Sequence, residues 1–361
     1  MPELADSEQK KRRITLRSII KPRIRWLLWL AILPVLWLVF RQIDLARLLS
    51  VLGNLSFVEI LLLLLLNSLV ILSLSARWWL ILRGKGVGIR YGRLSLYRLA
   101  AFSISYFTPG PQFGGEPFQI QLLRSRHRMA GVEASASVAL DKSLELAVNF
   151  GFLVFGVVVV AAEGLLPGRG SLLLLVSAVG LLLIPLLHLW VAARGHRPLA
   201  WLLGEVSSLW PDWAVIARTL SLVEETESQV AGFLQERPGW VGAALAVSMF
   251  SWLLLIAEYW LMARFLGIDI SIWLAIAALT AARLAILLPS PGGLGTLEAS
   301  QVLAFSSLAG SPNAGAALAL IIRARDLIFG GLGLLLVGRF GGEAIAPLRD
   351  SEGGHRRQAG G

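Results

Sequence analysis

Residues Phe107 to Gln119 read FTPGPQFGGEPFQ, and residues Leu287 to Glu298 read LLPSPGGLGTLE. Each loop joins two short apolar pieces, 94–107 to 117–123 in the first case and 272–288 to 297–309 in the second. Such pieces are short for a hydrocarbon core of ~30 Å, which takes about 20 helical residues to cross. Prolines end an incoming half-helix, while paired glycines supply positive φ or let another backbone or a ligand come close. Irregular backbone at membrane depth is tolerated only where protein or a water-filled cavity surrounds it. We therefore read both stretches as re-entrant hairpins in an all-α polytopic membrane protein, together contributing four half-helices.

Composition supports that class. Of the 361 residues, 56% are apolar and 16% charged, against about 45–50% and 25% in soluble domains. Apolar segments at 24–40, 57–82, 134–162, 171–193, 239–263 and 313–338 predict about six full spans. The formal charge is +10, and Lys10, Lys11, Arg12, Arg13, Arg17, Lys21, Arg23 and Arg25 crowd before the first span. Basic residues accumulate on the cytoplasmic side, so segment 1–23 is expected in the cytoplasm. Six spans return the tail at 341–361 to the same side. The expected setting is the bacterial inner membrane. Trp26 to Phe40 runs into Arg41, Gln42 and Asp44 rather than a small-residue cleavage site, so an uncleaved first helix is expected.

The basic residues have no folded domain beside them, so no nucleic-acid partner is expected. With no cysteine and four histidines, neither disulfides nor thiolate or metal chemistry is expected, and no cofactor is called for. The connector at 194–238 mixes Trp201, Trp210 and Trp213 with Glu224, Glu225 and Glu227, which reads as helices lying partly on the membrane surface.

Shifting the chain by about 181 positions superimposes unusual residues: Trp79 on Trp260, Arg83 on Arg264, Gly86 on Gly267, Lys142 on Arg323 and Glu145 on Asp326. With a slip of one or two positions, Pro109 and Pro111 meet Pro289 and Pro291, and Glu116 meets Glu298. A domain over 24–340 thus contains repeat 1 at about 57–162 and repeat 2 at about 239–338. The extra span at 171–193 makes the second copy enter the membrane from the opposite side. Charge placement agrees: Arg83, Lys85, Arg90 and Arg93 before the first hairpin and Arg124, Arg126 and Arg128 after it put its ends inside, whereas the second has Asp269 before it and no charge between Glu298 and Arg323, which puts its ends outside. Inverted repeats with broken helices are an architecture of secondary transporters, in which the broken backbone marks the substrate site.

The candidate substrate-binding residues are Pro109, Gly114, Gly115 and Glu116 in the first loop and Pro291, Gly292, Gly293 and Glu298 in the second. Backbone N–H groups at two half-helix starts favour an anionic headgroup. Glu116 and Glu298 instead bring negative charge, suited to capping the backbone or binding a cation. The helix after the first hairpin carries Asp141, Glu145 and Asn149 on one face, with Lys142 beside Glu145. At about 1.5 Å per residue, Glu145 lies ~16 Å into its span. Arg323, Arg325 and Asp326 occupy similar depth in the second copy.

Intramembrane charges face a cavity or one another, so these groups line a pathway or form two clamps, Lys142 with Glu145 and Arg323 with Asp326. Arg77 and Glu258 fall at equivalent repeat positions with opposite sign, where a mutual pair is conceivable; Arg283 is a further intramembrane charge. Arg98, near the edge of its apolar stretch, reads as a snorkelling side chain. Asn67 and Ser68 read as interhelical hydrogen bonders. No Ser/His/Asp grouping, phosphate-binding loop or metal cluster appears, so no enzymatic activity is expected.

At the TPGPQFGGEP loop, the ALDKSLEL helix, LLPSPGGLGTLEA and the IIRARDL helix, the chain resembles the family of lysylphosphatidylglycerol synthase transmembrane regions, a flippase-like domain also found in UPF0104 proteins. The resemblance covers about 24–340. It implies similarity to the flippase half of the bacterial multiple peptide resistance factor, which moves aminoacylated phosphatidylglycerol between leaflets, and to membrane proteins of hopanoid or archaeal lipid-linked sugar metabolism. The sequence ends in a short tail where fused synthases continue into a soluble aminoacyl-transferase domain, so lysyl-lipid synthesis is not expected of it. Lys142 stands where the family often has Arg, which keeps the charge but loses bidentate geometry. A polar-lipid transporter is the leading expectation, with membrane lipid as partner. A non-catalytic partner of a lipid-modifying synthase or glycosyltransferase comes second, and an intramembrane transferase using Glu116, Asp141 and Glu145 third.

Overall fold

The computed structural model describes residues 45–108, 114–165, 168–209, 214–288, 290, 293–309 and 311–344. The chain divides into two compact units, Met1–Asp44 and Leu45–Gly361. The first unit, including the span expected at 24–40, lies outside the described residues, as do Pro109, Pro291 and Gly292. Among the described residues of the second unit there are helices and no strands: α1 (Leu45–Gly53), α2 (Phe57–Gly84), α3 (Tyr91–Phe107), α4 (Glu116–His127), α5 (Gly131–Ala162), α6 (Gly168–Ala193), α7 (Pro198–Leu209), α8 (Ala214–Glu236), α9 (Pro238–Phe265), α10 (Ile272–Ile286), α11 (Thr296–Ala309) and α12 (Pro312–Ala344).

Helices α2, α5, α6 and α9, of 28, 32, 26 and 28 residues, are long and apolar enough to cross a membrane. Helix α12 is longer still at 33 residues, but Arg323, Arg325 and Asp326 interrupt its apolar sequence. Only 11% of the most apolar window of α6 is buried, and Leu172, Leu173, Val176, Ile184 and Leu187 point outward. A soluble monomer does not carry an apolar face of that extent. Hydrocarbon is the solvent such a face matches, and the protein is a multi-pass helical membrane protein.

Local sequence explains where the helices start and stop. Ser56 caps α2 in a reciprocal box with Glu59, and Ser271 accepts the Leu274 N–H to cap α10. Pro117 and Pro238 stand in the first turns of α4 and α9, where a missing N–H costs nothing. Gly86 and Gly267, at φ 81° and 72°, end α2 and α9 with the same pair of bonds. In each, the glycine N–H returns to the arginine carbonyl three residues back, at 2.9 Å, and the following N–H reaches five residues back.

The matched turns go further. Trp79 Nε1 donates to the Ile89 carbonyl and Trp260 Nε1 to the Ile270 carbonyl, both at 3.1 Å, while Arg83 and Arg264 stack over those indoles at 4.9 and 5.2 Å. Trp260→Phe keeps the ring and removes the donor, so it is expected to lower unfolding free energy by about 1 kcal/mol. Trp79→Phe should cost about the same. Chemical denaturation in detergent checks both, and two neutral substitutions would remove these bonds from the account.

Helices from 57–162 and from 239–338 interleave. Helix α2 packs along α9, with Ser251 Oγ donating to Ser73 Oγ at 2.8 Å; α3 lies against α12, and α5 against α10. One core joins Leu63 of α2 and Val148 and Phe152 of α5 to Tyr259, Met262, Leu279 and Ile322 of the second copy. A second joins Leu94 and Tyr97 of α3 to Phe340 of α12. The connector also packs on the bundle. Val230 and Phe233 of α8 pack on Leu140 and Leu144 of α5, and Glu227, 3% exposed, accepts the Leu199 and Ala200 N–H groups at the start of α7.

Candidate functional site

A cavity of about 240 Å³ is lined by residues of eight helices, α2 to α5 and α9 to α12, with none from α6, α7 or α8. Its wall carries Arg77, Arg98, Glu116, Asp141, Lys142, Glu145, Glu258, Arg283, Arg325 and Asp326 together with apolar side chains such as Val70, Leu74, Phe102, Trp252, Leu255 and Phe329. Isolated charges in a medium this apolar are costly, so pairing decides the arrangement.

In the first copy, Arg77, 1% exposed, reaches Asp141 and Glu145 at 2.7 Å each. Arg98 joins the same two carboxylates, at 2.6 Å from Glu145. Lys142 bonds Glu145 at 2.9 Å and Glu116 at 3.1 Å. Glu116 also accepts the Gly114 N–H at 2.8 Å, and Gly115 N–H goes to Ser105 Oγ at 3.0 Å. Three cations therefore meet three carboxylates in one network running through α2, α3, α4 and α5.

The second copy reproduces part of this and changes the rest. Glu298 accepts the Gly295 N–H at 2.9 Å and binds Arg323 at 2.6 Å, as Glu116 does with Gly114 and Lys142. Arg323 also donates to Tyr106 Oη at 2.8 Å and to the Gly293 carbonyl, tying α12 to α3. Arg325 sits between Glu258 at 3.0 Å and Asp326 at 2.8 Å, and Asn67 donates to the same Glu258 oxygen at 3.0 Å. The other oxygen of Glu258 is buried without a hydrogen-bond partner.

Several expectations need correcting. The Lys142–Glu145 pair forms, but Arg323 takes Glu298 and leaves Asp326 to Arg325. Arg77 and Glu258 do not pair with each other; each takes partners of opposite charge on the long helix of its own copy, α5 or α12. Arg98 does not snorkel; it turns inward to two carboxylates. Ser68 bonds its own helix at the Leu64 carbonyl, whereas Asn67 does bridge helices. Loop N–H groups expected to meet an anion are taken at Gly114 and Gly295 by the protein's own carboxylates and at Gly115 by Ser105.

Of the sequence candidates, Gly115, Glu116, Asp141, Lys142, Glu145, Gly293 and Asp326 line the cavity; Gly114 and Arg323 are one hydrogen bond removed from its wall, and Glu298 stands behind Arg323. Missing from the candidate set were Arg77, Arg98, Glu258, Arg283 and Arg325. Their signal was available, since every ionisable residue inside an apolar segment marks a site by default. Among the described residues, no group of three His, Cys, Asp or Glu side chains is arranged to hold a metal ion.

Fold and cavity define the class: a multi-pass helical membrane protein with a charged chamber inside its bundle. The chain belongs to the family of the lysylphosphatidylglycerol synthase transmembrane region, whose model matches residues 25–333. It is similar to a UPF0104 membrane protein of Methanothermobacter thermautotrophicus, 24% identical over 303 residues, covering 81% of this chain and 88% of the relative. A UPF0104 membrane protein of Methanocaldococcus jannaschii is 24% identical over 290 residues, covering 79% and 85%.

Proposed function

We propose that the protein moves a polar lipid between leaflets, with the headgroup in the charged cavity and the acyl chains against its apolar flanks. The observation that carries this reading is the composition of one chamber. Ten acidic and basic side chains share its wall with aliphatic and aromatic ones, a surface amphipathic on the scale of a lipid headgroup and its first methylenes. Two copies of opposite membrane orientation, each with a re-entrant half-helix pair, would give alternating access by rocking about the α2–α9 contact. In this reading the termini face the cytoplasm of a bacterial inner membrane. Family membership supports a lipid-related role.

Reconstituted protein is expected to move labelled lipid across vesicles faster than protein-free controls. Glu116→Gln combined with Lys142→Gln removes one carboxylate and one cation together, leaves Glu145 bonded to Arg77 and Arg98, and should slow movement by about tenfold, the effect of losing one charge-assisted contact. Unchanged movement in the double variant rejects the site. No movement by the unaltered protein rejects transport; a synthase or glycosyltransferase co-purifying with it would then favour presentation of lipid to that enzyme.

A further inference from the structure

Five cationic side chains line the cavity: Arg77, Arg98, Lys142, Arg283 and Arg325. Four of them hold carboxylates within 3.1 Å. Arg283 makes no ion pair and no hydrogen bond among the described residues; its contact is with an aromatic face. Its guanidinium carbon lies 4.9 Å over the Trp252 ring, and Trp252 in turn stacks on Phe152 at 3.8 Å with 15° between the planes.

We propose that Arg283 is the anion-recognition residue of the chamber, presenting its free donor fork to the phosphate of a lipid headgroup. A cation–π contact with the Trp252 face holds the guanidinium without using its N–H groups and without neutralising it. The charges that act on it at longer range, Arg325, Asp326, Glu258 and Glu145, are of both signs and already bonded to one another or to further cations. Position in the last turn of α10 gives a cation some relief from the helix dipole, about 0.3–1 kcal/mol. That is small beside the several kcal/mol that removing an ion from water costs. An oxyanion accepting two parallel N–H bonds supplies the balance, and a planar fork suits phosphate better than an ammonium does.

The assignment is specific to the second copy. The position equivalent to Arg283 is Phe102, also in the wall, while the arginine that α3 does bring to the cavity, Arg98, is consumed by Asp141 and Glu145. Trp252, Leu255 and Ile286 share the wall with Arg283, which places apolar surface beside the cation, as a phosphodiester attached to acyl chains requires.

This inference rests on the lipid-transport reading, and its test separates the two. Full-length protein in detergent is titrated with short-chain phosphatidylglycerol, with diacylglycerol of the same chains and with glycerol phosphate, binding being followed by calorimetry. Phosphatidylglycerol is expected to bind tightest. Arg283→Gln should weaken phosphatidylglycerol about tenfold, to the level of diacylglycerol, while leaving diacylglycerol unchanged. Arg283→Lys, which retains the charge and loses the fork, should fall between, and serves if the glutamine variant does not fold. Equal affinity of wild type for phosphatidylglycerol and diacylglycerol, or undiminished phosphatidylglycerol binding by both variants, overturns the role of Arg283. Glycerol phosphate binding as tightly as phosphatidylglycerol would assign the residue to a free phosphate and overturn the lipid. No binding of either lipid removes the transport reading and this inference with it.

Discussion

Asp141→Ala is expected to lower the unfolding free energy by about 3–5 kcal/mol, the cost of leaving a buried charge without its partner. Arg77 is 1% exposed and Asp141 2% exposed, and their bond of 2.7 Å joins α2 to α5. Removing Asp141 leaves Arg77, Arg98 and Lys142 to share Glu145, with only Glu116 beyond it and bonded to Lys142. Three cations against three carboxylates become three against two. Asp141→Asn keeps the shape and removes the charge, and should lose most of the same stability. Removing both partners in Arg77→Met with Asp141→Leu restores the balance, Arg98 and Lys142 against Glu145 and Glu116, and is expected to recover much of the loss. Denaturant unfolding in detergent reads all three variants. An Asp141→Ala protein as stable as wild type would mean that water in the cavity solvates Arg77 without help.

Gly333→Val is expected to damage the contact between α12 and α3, costing about 1–3 kcal/mol or more. A Cβ at Gly333 would overlap the Leu99 carbonyl oxygen of α3 and stand 2.8 Å from Ser103 Cβ. Backbone lies on that side, and no rotamer change relieves the overlap. Without a hydrophobic force to bring helices together in lipid, close approach of small residues supplies the dispersion contact. Separating α12 from α3 would also draw Arg323 away from Tyr106, so lipid movement should fall along with stability. Gly331 is the internal control: nothing lies within 4 Å of a Cβ there, and Gly331→Ala should be neutral or slightly stabilising through helix propensity. Equal thermal stability of the two variants would show that α12 and α3 are not in this close contact.

Much of the candidate site was legible because helical periodicity is local. The i, i+4 spacing puts Asp141, Glu145 and Asn149 on one face, and the Lys142–Glu145 bond follows from their spacing of three. Glu116 and Glu298 stood out because each precedes or opens a half-helix, and both cap a nearby glycine N–H. The same reasoning misassigned Arg323, since the spacing that serves Lys142 and Glu145 also offered Asp326. Glu298, on another helix, meets Arg323 at 2.6 Å with a carboxylate already held by the Gly295 N–H. Arg98 was discounted for lying near the edge of an apolar stretch. Depth along a sequence does not say which way a helix is rotated, and α3 turns that face inward.

Sequence alone determined that the chain is a helical membrane protein, where its long apolar helices and half-helices run, and which apolar segments carry charge. Those properties depend on composition, caps and neighbours three or four residues apart. Tertiary structure alone decided the partners: Arg77 with Asp141 across 64 residues, Asn67 with Glu258 across 191, Tyr106 with Arg323 across 217, and Arg283 with no carboxylate among the described residues. Each pairing depends on the rotation and crossing of two helices, which the summed packing of the bundle fixes and no local pattern encodes.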